Sequence, residues 1–295
     1  MCNYIIRERI TDMESAIKTL YVVGNGFDMH HGIQSSYWNY MKWLEANYPE
    51  LFKEIEQTFR GATEESWWAD FENGLEKVDW FYNINNTTTK SEYQVGDVEI
   101  AGKKSSQRLL KLYDAIQVTF TQWVESLAPQ IKAVKPDLDL DSAAMYLNFN
   151  YTNTLQDAYQ VPDENVLHIH GNALRGDKVI IGHKSNGDQF HIMQAELVDY
   201  TSDTIKMARA IGRFRKPTGK IIAEHQSFFD SLADVEQVTT CGFSFSSVDM
   251  PYVREIMKHI EDKVIWRVYV HSDRDRERMA IVQKDLNITM EFIDW

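Results

Sequence analysis

The chain has 295 residues, 43% of them apolar and 25% charged, an ordinary globular make-up that excludes a disordered or fibrous protein. Forty-four acids against 31 bases leave a formal charge of −13, so the chain is a poor non-specific ligand for nucleic acid or an anionic membrane. Two cysteines, Cys2 and Cys241, exclude a disulfide framework and a four-cysteine zinc site.

No stretch approaches the ~20 apolar residues of a membrane span, and MCNYIIRERITDMESAIK lacks a signal peptide's continuous apolar core. A cytoplasmic protein with reduced cysteines is expected. Met13 is an alternative start, which would make the first twelve residues an extension. The first strong element is Thr19–Val23, TLYVV, a run of β-formers that stops at Gly24. Helical spacing then runs from about Ser35 to Phe59, with Tyr37, Tyr40, Met41, Leu44 and Tyr48 on one face. Ser66 to Tyr82 repeats the pattern through Trp68, Phe71, Leu75 and Val78, a stripe that reads as core together with Trp67. Apolar density collapses from about Asn83 to Ser106, which predicts a mobile excursion with a hairpin at Val95–Gly96–Asp97. Helix returns over Leu109–Leu127.

Short strands are predicted at Met145–Asn148, Val166–His170 and Val179–Ile181, with a helix from about Thr154 to Tyr159. A helical stretch over Ser202–Leu232 is broken at Lys216–Pro217–Thr218–Gly219. The tail alternates strand Glu236–Cys241, helix Pro251–Glu261, strand Val264–His271, helix Asp273–Lys284 and strand Ile288–Ile293. Such alternation predicts a Rossmann-like α/β fold, a largely parallel sheet with helices on both faces. One domain over residues 1–295 is expected, with helical insertions at about 35–128 and 200–232.

Polar residues gather at the predicted carboxyl ends of strands, where this architecture places its chemistry. Gly24-Asn25-Gly26 follows the first strand and matches two glycines of a dinucleotide fingerprint, but Met29 stands at the third. The pair reads equally as a tight turn; Asn25, Asp28, His30 and His31 close by favour a site. Asn148, Asn150, Tyr151 and Asn153 close the next strand, and His168 and His170 share one side of another before Gly171. IIGHK ends in Gly182 and His183; TTCGFSFSSVD offers Gly242, Ser244 and Asp249. Any one of these also reads as a cap, a turn or a half-buried histidine.

The order VVGNGFDMHHGIQSSYWNYM, WWADFE, LNFNYTNTLQ, LHIHG, IGH, CGFSFSSVD resembles the bacteriophage abortive-infection AbiH family over about residues 19–295. That family in turn resembles a divergent branch of the sirtuin-like NAD-binding proteins. The resemblance implies a sirtuin-like sheet and NAD as substrate, with no metal. Gly24-Asn25-Gly26-Phe27-Asp28 falls where sirtuin-like proteins have Gly-Ala-Gly-x-Ser, and Gly32-Ile33-Gln34 is similar to their Gly-Ile-Pro. Asn150 inherits the place of the catalytic asparagine and His170 that of the catalytic histidine, while Thr152 replaces the usual acid. Gly242 and Ser244 fall on the ribose-binding Gly-x-Ser loop. The missing cysteines argue against protein deacetylation and leave the NAD-consuming defence branch.

Cleaving the nicotinamide–ribose bond passes through an oxocarbenium-like state with a neutral leaving group, so positioning counts for more than acid catalysis. Under the resemblance Asn150 orients, His170 is the base, and Gly24, Asn25 and Gly26 meet the pyrophosphate. Gly242, Ser244 and Asp249 then meet the adenosine end, and Asp28 faces a ribose or the nicotinamide. A small-molecule nucleotide is the expected partner; a phage-derived trigger and a homo-oligomer stay open.

Two other classes compete. One is a non-catalytic NAD or ADP-ribose sensor with the same fold. The other is a metal-dependent phosphoesterase drawing on His30, His31, His168, His170 and His183, although no Asp-x-His follows the first strand. Lys206, Arg209, Arg213, Arg215, Lys216 and Lys220 form a basic island that reads first as a solvated helix face. Glu72 is weighed for the cleft but not placed there.

Overall fold

The structure, a computed structural model, describes residues 18–79, 82–83, 95–184 and 202–295. The two candidate start methionines, Cys2 and residues 84–94 of the predicted excursion at 83–106 lie outside the described residues.

Six strands build one sheet: β1 (Thr19–Val23), β2 (Met145–Asn148), β3 (Val166–His168), β4 (Gln237–Cys241), β5 (Ile265–Val270) and β6 (Thr289–Asp294). Every pairing is parallel and the order is β3-β2-β1-β4-β5-β6. This is the Rossmann-like arrangement, whose strand order reverses direction between β1 and β4. TLYVV reads as unbroken apolar because it is central and covered on both faces. Leu20 and Val22 enter one core with Phe229, Tyr252, Ile256 and Trp266. Tyr21 and Val23 face the other way, against Phe27, Tyr146 and Leu155.

Helices α1 (Asn25–His30) and α8 (Thr154–Tyr159) follow β1 and β2; α12 (Met250–His259) and α13 (Asp273–Leu286) follow β4 and β5. The rest sits in two insertions. The first carries α2 (Tyr37–Asn47), α3 (Pro49–Thr58), α4 (Glu65–Ala69), α5 (Phe71–Gly74), α6 (Val95–Ser126) and α7 (Ala128–Lys132). The second carries α9 (Ser202–Arg213), α10 (Thr218–Glu224) and α11 (Gln226–Asp230). Helix α9 lies along α6, and their side chains join one aromatic-rich core with Tyr40, Trp68, Phe71, Phe120 and Trp123. Trp68 and Phe71 stack with centroids 5.5 Å apart, so that stripe is core.

Four local expectations give way. The helix over Ser35–Phe59 is two helices, because Pro49 cannot continue the first and instead opens α3. The one over Ser66–Tyr82 shortens to α4 and α5, followed by a turn. No hairpin forms at Val95–Gly96–Asp97; that segment is the first turn of the 32-residue α6. Packing of Leu109, Leu112, Tyr113, Ile116 and Phe120 stabilises α6, and an established helix extends into weakly apolar sequence at little cost. Val179–Ile181 is not a strand but an irregular connection, tied by the Ile180 N–H to the His170 carbonyl at 2.9 Å.

Candidate functional site

Parallel register aligns the ends of four strands. Val23 pairs with Asn148 and with Cys241, and Asn148 pairs with His168. The ladder runs one residue further: Phe149 donates to Val23 O at 2.8 Å and Ile169 to Asn148 O at 3.1 Å. Residues 24, 150, 170 and 242 therefore leave the sheet at one edge, beside the reversal of strand order.

Glycine is needed where the β1 and β4 turns meet. Gly242 has φ +61°, and a Cβ there would lie 2.1 Å from Phe27 N. Gly26 N donates to Gly242 O at 2.9 Å, and Gly24 N to Cys241 O at 3.0 Å. Gly26 and Gly242 thus press the turns together, while Gly24 and Asn25 line the cleft in front.

That cleft has a cavity volume of about 160 Å³. Core strand ends contribute Asp28, Asn150, His170, Ser244 and Asp249, and the insertions contribute Ser35, Tyr37, Glu72, Trp123 and Lys216. Asn150 and His170, expected at one site, share this wall at 5% and 2% exposure. The Asn150 side-chain amide donates to Gly24 O at 3.1 Å, tying the β2 and β1 turns together. Asp28 lies 1% exposed, its Oδ2 accepting from the Thr152 hydroxyl at 2.6 Å. Burial raises its pKa, against the opposing pull of the Thr152 and Thr154 hydroxyls, His31 and the Asn150 amide.

Glu72 and Lys216 join the two insertions. Lys216 Nζ lies 2.9 Å from each Glu72 oxygen and 4.0 Å from Asp249 Oδ1. The Tyr151 hydroxyl donates to Glu72 Oε1 at 3.2 Å. Burial raises the Glu72 carboxyl, the Lys216 charge lowers it, and Asp249 raises it again. Burial also raises Asp249, with Lys216 and the Ser246 hydroxyl pulling it down. His170 is held well below the usual imidazole value, first by burial and then by Lys216, which favours its neutral form. Its Nε2 lies 3.3 Å from the Tyr252 hydroxyl and 3.9 Å from Asp249 Oδ1. Among the described residues, Asp28 Oδ1, Ser35 Oγ and Asp249 Oδ1 are buried in this cleft wall without a hydrogen-bond partner. Three orphaned oxygens on one cavity suit a ligand that brings donors.

The other histidines disperse. His168 parts from His170 because β3 ends there, and its ring sits among Asn148, Gln156 and Asn172. His183 Nε2 meets Ile211 O at 3.0 Å, while His30 and His31 both face Asp137. Among the described residues no group of three or more His, Cys, Asp or Glu side chains is arranged to hold a metal ion.

Lys216 corrects the reading of the basic island. Arg209, Arg213, Arg215 and Lys220 are exposed, but Lys216 is 3% exposed and ion-paired. Its sequence mark is its place at the Lys216–Pro217 break, off the helical stripe. Ser35, Tyr37, Ser246 and Tyr252 carry no signal that separates them from ordinary turn or core residues.

The geometry defines a Rossmann-like α/β protein with a carboxylate-lined cleft where its strand order reverses. A family model described as bacteriophage abortive infection AbiH matches residues 20–270, and the chain belongs to that family. Membership implies a part in antiphage abortive infection. No curated protein and no solved structure matches the chain. Among the described residues no helix is long and apolar enough to cross a membrane.

Proposed function

We propose that the protein is an NAD glycohydrolase, releasing nicotinamide from NAD during abortive infection. The observation that carries this reading is the meeting of Asn150, His170 and the β1 and β4 turns on one cleft at the reversal of strand order. The likeness of those motifs to sirtuin-like NAD-binding proteins supports it. So does the charge of the wall: Asp28, Asp70, Glu72 and Asp249 face a single ammonium, Lys216. Negative groups fixed around a cavity stabilise the cationic pyridinium ribose and the oxocarbenium-like state that follows. Phosphates are repelled by the same groups, so they belong at the open rim with Asn25 and Ser244. About 160 Å³ suits the reacting end of a dinucleotide, not all of it.

Purified protein incubated with NAD is expected to release free nicotinamide, and Asn150→Ala and His170→Ala to stop it. Overproduction in cells is expected to arrest growth as NAD falls. A second reading, a sensor that binds NAD without turnover, draws on the deep burial and depressed basicity of His170. Saturable NAD binding with no nicotinamide at any pH would establish the sensor; neither binding nor release would end both readings.

A further inference from the structure

A glycohydrolase needs a group to take a proton from the attacking water. His170 is the residue the motif order suggests, yet the structure gives it little to work with. Its ring is 2% exposed, packed edge-on against Phe149 and Tyr252, and faces the Lys216 charge. Asp249 is differently placed. Its Oδ2 is held by the Ser246 hydroxyl at 2.9 Å, which fixes the carboxylate in one orientation. Its Oδ1 has no hydrogen-bond partner among the described residues and is buried in the cleft wall. That oxygen lies between His170 Nε2 at 3.9 Å and Lys216 Nζ at 4.0 Å, both too long for direct hydrogen bonds. Asp249 thus sets an oriented carboxylate with one unmet lone pair in the cleft wall.

Resting on the glycohydrolase reading, we propose that Asp249, not His170, takes the proton from the water that attacks the ribose. Water oxygen bonds to C1′ as the C1′–N bond breaks, and that bond's electron pair stays on the pyridine nitrogen, leaving neutral nicotinamide. The attacking water's surplus proton passes to Asp249 Oδ1 and then to solvent, so NAD⁺ and water give ADP-ribose, nicotinamide and H⁺. His170 and Lys216 are positioning residues: they bracket the oxygen and keep its surroundings polar. Burial raises the Asp249 carboxyl above its ordinary range and makes it a stronger base than a surface aspartate. The groups facing it are Lys216, Glu72 and Tyr37 from the insertions, Tyr151 after β2, His170 after β3 and Tyr252 on α12.

The test is the pH profile of nicotinamide release by purified wild type, Asp249→Asn, Ser246→Ala and His170→Gln, with NAD binding followed through Trp123 fluorescence. Wild-type rate is expected to fall as pH drops through the raised carboxyl pKa. Asp249→Asn, nearly isosteric, is expected to keep NAD binding, lose roughly 10²–10⁴-fold in rate and flatten that acid limb. Ser246→Ala leaves the carboxyl in place but removes a hydrogen bond that favours its ionised form, so the limb moves to higher pH. His170→Gln lowers the rate and keeps the limb. An Asp249→Asn rate within about tenfold of wild type overturns the proposal and leaves the glycohydrolase reading standing. So does a limb that survives in Asp249→Asn and vanishes in His170→Gln, or one unmoved in Ser246→Ala. A wild type silent at every pH removes the reading itself, and the proposal with it.

Discussion

The two walls of the cleft are made by different means. The sheet-side wall comes from strand ends locked in register, and its polar groups are held by backbone: Asn150 on Gly24 O, Gly26 N on Gly242 O. The insertion-side wall comes from outside the sheet, and its charged groups Lys216 and Glu72 hold each other, with the Tyr151 hydroxyl reaching to Glu72 from the sheet side. The first is rigid because a β ladder stands behind it. The second is rigid only while its charges stay paired, since a lone buried charge costs several kcal/mol.

Lys216→Met tests that contrast most severely. It strands Glu72 and Asp249 in a buried wall, and urea unfolding is expected to show a loss of about 3–5 kcal/mol. Adding Glu72→Gln to Lys216→Met should recover much of it; an unchanged midpoint in the single variant would mean the insertion wall is held by its aromatic core alone. Gly242→Ala strikes the other wall, forcing a Cβ onto Phe27 N and a left-handed backbone on alanine. A cost of order 3 kcal/mol is expected, with nicotinamide release lost in parallel.

Asp28→Asn sharpens the comparison in the opposite direction. Burial raises the Asp28 carboxyl in the folded state, so the native chain binds its proton more tightly than the unfolded chain does. Its contribution is therefore favourable at low pH and is lost as pH rises through the folded pKa. An asparagine keeps an oxygen for Thr152 and carries no charge, so thermal unfolding near neutral pH should show a gain of about 0.5–2 kcal/mol and a flatter pH dependence. A lower midpoint across the range would show that the ionised form is wanted for folding. Smallest is Tyr151→Phe, which removes the hydroxyl shared by Glu72 and the Ile180 carbonyl, with about 1 kcal/mol expected in the same urea assay.

The sheet-side wall was the legible one. Apolar runs ending in glycine mark parallel strands, and parallel strands in register bring their ends to one edge, so Asn150 and His170 could be placed together from residues far apart in the chain. The insertion-side wall was hidden for the opposite reason. Glu72 lies in a short helix beside a tryptophan pair that reads as core, and Lys216 in a basic run that reads as surface. Nothing local says that a lysine will be buried; its partner stands 144 positions away. Local composition at Val95–Asp97 speaks for a turn, yet the segment is helical because the packed part of α6 further along carries it. A period of two places His168 and His170 on one side only while the strand lasts, and β3 ends at His168.

The separation of Glu72 from Lys216 also orders events during synthesis. A growing chain that already carries Asn150 and His170 still lacks Lys216 and the β4 loop, which complete the pocket and have not yet been translated. A chain that stops before Asp249 therefore cannot close the cleft, however well its first three strands have paired.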